Sequence, residues 1–224
     1  MGKTAILVDG GFYKKRAKYL WGPKTGEKRA KELVFYCNAH LKDKKGKDPR
    51  DLYRIFYYDC NPVRGINVYH PLLKRNIKLG ESNSYEWMTD FINMLMHQRK
   101  FALRLGSLSS RFASYNLKPE STRDLLAGKI ALEDLTEKDF VLSGLKQQGI
   151  DMRIGVDISS MVFKKQVEQI ILIAGDSDFV PAAKLARREG IDFILDAMWQ
   201  DIDDSLYEHI DGLRTPWKKT TKDK

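Results

Sequence analysis

The chain has 224 residues, of which 42% are hydrophobic and 31% charged, with a formal net charge of +9. That length suits one large domain, or one domain with a substantial insertion, and allows a real core. No apolar stretch reaches bilayer length and none near the N-terminus has the size of a signal h-region, so a cytoplasmic protein without a membrane partner is expected. Cys37 and Cys60, the only cysteines, have neither metal-ligand nor redox spacing and are expected to be reduced packing residues.

The first predicted element is a strand over 4–9, where the apolar run Ala5-Ile6-Leu7-Val8 stops at Asp9. Gly10 and Gly11 follow and let the backbone turn sharply, which leaves the carboxylate at the strand end; an ordinary Asp-Gly turn is the plain alternative. Beyond them the charge becomes uneven. Residues 1–50 hold fourteen Lys/Arg against five Asp/Glu, while residues 51–224 hold twenty-five of each, so the whole surplus originates in the first fifty. Its densest parts contain Lys14, Lys15, Arg16 and Lys18, then Lys44 and Lys45, with Phe12, Tyr13, Tyr19 and Trp21 interleaved in the first. Cations mixed with aromatic rings suit a single strand of RNA, which offers phosphates and unpaired bases; a solvated lysine-rich surface is the alternative.

Residues 27–42 carry Ala30, Leu33, Val34, Cys37 and Leu41 on one stripe and predict an amphipathic helix. A strand is expected over 53–59. Around Asn83 and Glu86 a capping box opens a helix over 84–98, and a strand follows at 101–106. Residues 106–136 are Ser-rich and turn-rich with short apolar pieces, which predicts an insertion or lid holding a short helix near 121–127. A strand is expected at 139–143. A helix starting at Asp151 would bury Ile154, Ile158 and Met161, with Asp151 and Asp157 each about 60° from Ile154 around the axis. Both acids therefore lean inward, although Asp151 could serve as a cap and Asp157 could pair with Arg153.

The run Ile170-Ile171-Leu172-Ile173-Ala174 reads as a buried parallel strand, and Gly175-Asp176-Ser177-Asp178-Phe179 follows it immediately. The carboxyl ends of such strands are where open α/β sheets place their ligands. Asp178 could cap the helix that follows, which has Pro181 in its first turn and stops at Gly190; Asp176 is not needed for capping and is the stronger ligand candidate. A further strand is expected at 191–195. Asp59 and Asp196 also end predicted strands and are secondary candidates, whereas Asp201, Asp203 and Asp204 suit the acidic first turn of a C-terminal helix. Residues 213–224 are read as a basic tail.

Strands alternating with helices predict a mostly parallel sheet covered on both faces. Carboxylates gathered on one rim repel one another unless a cation sits there, and a hard divalent ion such as Mg²⁺ takes carboxylate oxygens. Met1-Gly2-Lys3-Thr4 lacks the upstream glycine of a phosphate-binding loop, and no nucleophile elbow or paired histidine spacing is present. Asp9-Gly10-Gly11 lacks the second acid of a haloacid dehalogenase phosphatase.

Val8-Asp9-Gly10-Gly11-Phe12, Leu145-Lys146-Gln147-Gln148-Gly149-Ile150-Asp151 continuing to Val156-Asp157, and Ala174-Gly175-Asp176-Ser177-Asp178-Phe179-Val180-Pro181 together resemble the NYN domain of the PIN-like nuclease superfamily, nearest its bacterial LabA-like branch. The resemblance implies a Rossmann-like three-layer α/β/α fold over residues 1–212. It also implies a pocket of Asp9, Asp151, Asp157, Asp176 and Asp178 binding Mg²⁺ or Mn²⁺, and endonucleolytic cleavage of RNA that leaves a 5′-phosphate and a 3′-hydroxyl. Many relatives carry Asn a few residues after the first Asp, where this chain has Gly10, Gly11, Phe12 and Tyr13. A non-catalytic module that binds RNA or recruits a partner through the same pocket is the alternative. The oligomeric state is open, and a homodimer is compatible with the sequence.

Overall fold

In a computed structural model describing residues 2–42 and 50–219, the chain begins with strand β1 (Lys3–Asp9), helices α1 (Gly10–Trp21) and α2 (Gly26–Leu41), and strands β2 (Asp51–Cys60), β3 (Asn67–His70) and β4 (Arg75–Lys78). It continues through helix α3 (Asn83–Met96), strands β5 (Phe101–Ser109) and β6 (Ser114–Leu117), helix α4 (Pro119–Leu126), and strands β7 (Phe140–Ser143) and β8 (Lys146–Gln148). The last part comprises helix α5 (Ile150–Phe163), strand β9 (Gln169–Ile173), helix α6 (Val180–Arg188), strand β10 (Asp192–Asp196), helix α7 (Asp204–Tyr207) and strand β11 (Gly212–Leu213). Two compact units result. The first comprises the described parts of 1–60, 87–106 and 149–224, and the second comprises 61–86 and 107–148.

The first unit is an α/β layer structure on six parallel strands in the order β11-β10-β9-β1-β2-β5. Ala5 to Val8 and Ile170 to Ile173 are wholly inaccessible to solvent, as continuous apolar runs must be when a strand is covered on both faces. Each such side chain contributes roughly 1.5–3 kcal/mol when fully buried, apart from the smaller Ala5. Register aligns Val8 with Tyr57 on β2 and with Ile173 on β9, so β1 and β9 end within one residue of each other while β2 runs on to Cys60. From β1 the chain moves outward through β2 and β5, then returns to β9 on the opposite side and continues to β10 and β11. The order reverses between β1 and β9, and at such a point the connecting segments diverge and leave a crevice.

Helices α1, α2 and α3 share one core with the sheet, in which Tyr13, Ala17, Leu33, Tyr36 and Phe91 meet Ile6, Val8, Ile171 and Ile173. Helices α5 and α6 pack on each other and against β2 and β10. Ile154, Ile158 and Met161 are buried as their spacing predicts. Helix α1 differs from the expectation of a turn followed by a basic surface. Tyr13, Ala17 and Leu20 recur at helical spacing and are buried, and the lysines between them ride on a helix anchored by that stripe.

In the second unit, β3 pairs antiparallel with β4, β6 with β7, and Ser107–Ser109 at the end of β5 with β8. Residues 139–143, expected in the main sheet, instead supply β7 of this small hairpin. The alternation of Val141 and its neighbours suits an antiparallel pair with one wet face as well as it suits a buried strand. His70 is buried between Tyr115 and Phe140, at ring separations of 4.5 and 4.9 Å. The short helix expected near 121–127 is α4, started by Pro119. This unit takes in more of the chain than the 106–136 insertion read from the sequence.

Cys37 and Cys60 are free and buried, and burial, with Asp196 adding to it, pushes the Cys37 thiol far above its ordinary range. Among the described residues no helix is long and apolar enough to cross a membrane.

Candidate metal and nucleic-acid site

Asp9 ends β1 and serves as N-cap of α1, its Oδ1 accepting the Phe12 N–H at 3.1 Å. Burial nevertheless pushes its carboxyl up to about 6. The Phe12 hydrogen bond opposes that rise, and the charges of Asp151 and Asp59 reinforce it. Asp151 lies in the first turn of α5. The cap position there is held by Gly149 at φ 71°, a left-handed conformation natural to glycine, so Asp151 is not the cap residue, and its carboxylate accepts its own backbone N–H. Its pKa is raised by burial and then by the charges of Asp176 and Asp178. The charge of Asp151 thus acts on Asp9, and those of Asp176 and Asp178 act on Asp151.

The roles of Asp176 and Asp178 reverse the expectation. Asp176, not Asp178, is the cap: its Oδ1 accepts the Asp178 N–H at 3.0 Å and closes the 3₁₀ turn Ser177–Phe179. Helix α6 starts two residues after Asp178, without a side-chain cap, so the Asp178 side chain does not perform the service assigned to it. One oxygen of Asp176 suffices to hold its own turn. Gly175 gives this turn its tight seat: a Cβ there would stand 2.6 Å from the Phe12 ring and 2.9 Å from the Gln200 amide nitrogen.

Asp157 has partners of its own. It accepts the Tyr58 hydroxyl at 2.8 Å and pairs with Arg104 at 2.9 Å; the partner is not Arg153, which reaches the Leu105 carbonyl. The geometry describes a tie between α5, β2 and β5. Asp157→Asn is expected to lower stability by about 1–2 kcal/mol, through the weakened Tyr58 and Arg104 interactions, and to leave any cleavage rate within a few-fold of the unmodified protein. Unfolding and single-turnover cleavage of one preparation check both.

Asp59, a secondary candidate, is the penultimate residue of β2, lies against Gly10 and is buried. It receives Lys14 Nζ at 2.6 Å, the Tyr57 hydroxyl at 2.5 Å and the Cys60 N–H at 2.8 Å. Asp196 is also fully buried, and the Met198 N–H, the Thr215 hydroxyl, Tyr36 and His40 surround it. Among the described residues no group of three or more His, Cys, Asp or Glu is spaced to hold a metal ion.

The NYN domain family matches residues 89–208. The chain belongs to the NYN domain family. NYN domains are a family of PIN-like nucleases, and the matched stretch carries Asp151, Asp157, Asp176 and Asp178. Asp9 precedes it, on the strand paired with β9 in the same NYN sheet. A protein of unknown function from Vibrio parahaemolyticus is similar at 13% identity and a TM-score of 0.45, over 95% of this chain and 91% of that one. No curated protein matches this NYN chain.

The basic residues of this NYN domain divide by partner. Lys14 is committed to Asp59 and lies 3.5 Å from Met88 Sδ. Arg16 donates twice to the Met198 carbonyl, at 2.7 and 3.2 Å, and so supports Met198 and Trp199, both held at positive φ. Lys15 and Lys18 are exposed. Lys44 and Lys45 lie outside the described residues. Of the interleaved aromatics, Tyr13 is buried and Trp21 packs on Tyr36 and Trp217; Tyr19 is 74% exposed, with Arg16 over its ring. The expected row of stacking rings is therefore reduced to Tyr19, because the helical stripe turns the others inward.

Proposed function

We propose that the chain is a metal-dependent endoribonuclease that hydrolyses RNA phosphodiester bonds at the crevice between β1 and β9. The observation that carries this reading is Asp9: a half-buried carboxyl at a switch-point strand end, raised to about 6 by desolvation and by the charges of Asp151 and Asp59. Asp176 and Asp178 press on Asp151 in turn. Hard oxygen donors under mutual repulsion fit a divalent cation chemically. Their spread fits Mg²⁺ in particular, which is commonly held by one or two carboxylates and keeps several waters.

Asp9 with one of Asp151 and Asp176 would hold Mg²⁺ or Mn²⁺, with the remaining acids, Asp178 among them, adding charge at the rim. The ion would supply activation of water and neutralisation of charge on the phosphate. The chain's own residues set the stage for it. The Lys14 ammonium balances Asp59, so that the deepest carboxylate does not add its full charge to Asp9. The Phe12 N–H fixes one Asp9 oxygen. Phe12 and Gln200 clamp Gly175 and thereby fix where Asp176 begins, and the Gln200 amide stands beside that turn as a donor for a phosphate oxygen. Exposed Lys15 and Lys18 supply attraction for the polyanion. Metal ligands must be deprotonated, so cleavage at limiting metal is expected to rise with pH through about 6, as Asp9 ionises.

The purified protein is expected to cut single-stranded RNA in Mg²⁺ or Mn²⁺, to stop in EDTA and to resume when metal is restored. Cleavage continuing at the same rate in EDTA would overturn the reading.

A further inference from the structure

Beside the first turn of α1 runs a groove of about 540 Å³, lined by Gly11, Lys14, Lys15, Lys18, Pro23, Lys24, Arg29 and Trp87. Its volume is that of a site for a small-ligand-sized group. It shares two things with the acidic crevice: Gly11 follows Asp9 by two residues, and Lys14 passes from the groove to Asp59. The charge in its walls is partly spoken for. Arg29 and Lys24 both pair with Glu32, and Arg29 also donates to the Gly22 carbonyl, while Lys14 serves Asp59. Lys15 and Lys18 are exposed and line the opening. On the apolar side, Trp87 is held rigidly. Its Nε1 donates to the Lys24 carbonyl at 2.7 Å, and one face stacks on buried Phe91, with centroids 5.2 Å apart and planes 11° from parallel.

A fixed indole lining the same groove as two exposed lysines matches the chemistry of one nucleotide: a flat base for the ring and phosphates for the lysines. We infer that this groove is a nucleotide subsite that receives an unpaired base next to the scissile phosphate, and that it selects single-stranded over double-stranded nucleic acid. A paired base keeps its faces stacked within the helix and cannot reach an indole in a recess, so the selection follows from shape. Proximity to Asp9 makes the subsite part of the same substrate path. The inference rests on the nuclease reading for the word scissile, but binding alone can test the groove.

The test is fluorescence anisotropy of a labelled single-stranded oligoribonucleotide and of its duplex, in EDTA, so that nothing is cut. The unmodified protein is expected to bind the single strand at least tenfold more tightly. Lys15→Ala with Lys18→Ala is expected to lower the slope of log affinity against log salt by about 1.4, which is about 0.7 for each single-strand phosphate that the two lysines no longer neutralise. Trp87→Ala is expected to weaken single-strand binding about tenfold and to leave the duplex unaffected. Trp87→Phe, which keeps a ring on Phe91, is expected to recover most of that loss and guards against a misfolded alanine variant. Equal affinity for duplex and single strand, or an unchanged salt slope in the double lysine variant, would overturn the subsite. Asp176→Asn, which removes a charge that repels the strand when no metal is present, should bind the single strand at least as tightly as the unmodified protein. If it also cuts as fast, the nuclease reading fails while the groove stands.

Discussion

Asp9→Asn is expected to melt at a higher temperature than the unmodified protein at pH 7 and to lose cleavage in the same preparation. Burial, reinforced by Asp151 and Asp59, raises the Asp9 carboxyl from 3.8 to about 6. Between these values the folded state holds a proton that the unfolded chain has released, so stability falls as pH rises through the window. Below about 3.8 the cost is absent, and above about 6 it is complete at about 3 kcal/mol. Asparagine carries no charge and is itself a good N-cap, so the Phe12 N–H keeps an acceptor. A gain of about 2–3 kcal/mol corresponds to roughly 5–10 °C for a chain of this size, vanishing near pH 4. Removing the charge also removes the deepest proposed metal ligand, and cleavage is expected to fall by roughly 10²–10³-fold. Scanning calorimetry without divalent ions at pH 4 and pH 7, beside a cleavage assay, checks both. An unchanged melting temperature at pH 7 would mean that Asp9 is not desolvated.

Asp196→Ala is expected to act in the opposite sense, with a large loss of stability that begins away from the acidic crevice. The carboxylate is fully buried and accepts the Met198 N–H at 2.8 Å and the Thr215 hydroxyl at 2.7 Å. His40 Nε2 lies 2.8 Å from it and Tyr36 donates to it. One side chain thus ties α2, the end of β10 and the C-terminal segment together. Alanine leaves those partners in a space that water does not reach, which costs about 3–5 kcal/mol for a broken buried pair, or a fall of roughly 6–20 °C. The Met198–Trp199 turn, held at positive φ by this carboxylate and by Arg16, is expected to loosen with it. Urea unfolding measures the loss, and a value under about 1 kcal/mol, the net worth of a single ordinary hydrogen bond, would show that the network is dispensable.

Much of the frame is legible in the sequence because the strands at its centre are continuous apolar runs that stop abruptly. Ala5 to Val8 ending at Asp9, and Ile170 to Ala174 ending before Asp176, locate two strand ends. Their adjacency across a switch point follows once alternating helices are recognised. Other features depend on partners distant in the chain. Asp157 reads as well as Asp151 on a helical wheel, and only Arg104 and Tyr58, brought in from β5 and β2, separate them. Asp178 reads as a cap because a helix follows it, yet the backbone first makes a 3₁₀ turn closed by Asp176. Helix α1 is masked by its paired glycines and its lysines, although Tyr13, Ala17 and Leu20 do carry helical spacing. Trp87 belongs to an expected helix, but its place in a groove with Lys15 and Lys18 comes from tertiary packing. Residues 139–143 show the limit of a short alternating run, which fits a hairpin in one unit as readily as a strand in another.

The proposal that an acid from β1 and one from α5 or the end of β9 share one divalent cation is tested most directly by anomalous scattering from crystals soaked in Mn²⁺. The predicted result is a peak in contact with Asp9 and with Asp151 or Asp176, absent from crystals of Asp9→Asn treated in the same way. A map without a peak in that crevice at saturating Mn²⁺, or with its Mn²⁺ peak at Asp157 instead, would contradict the account.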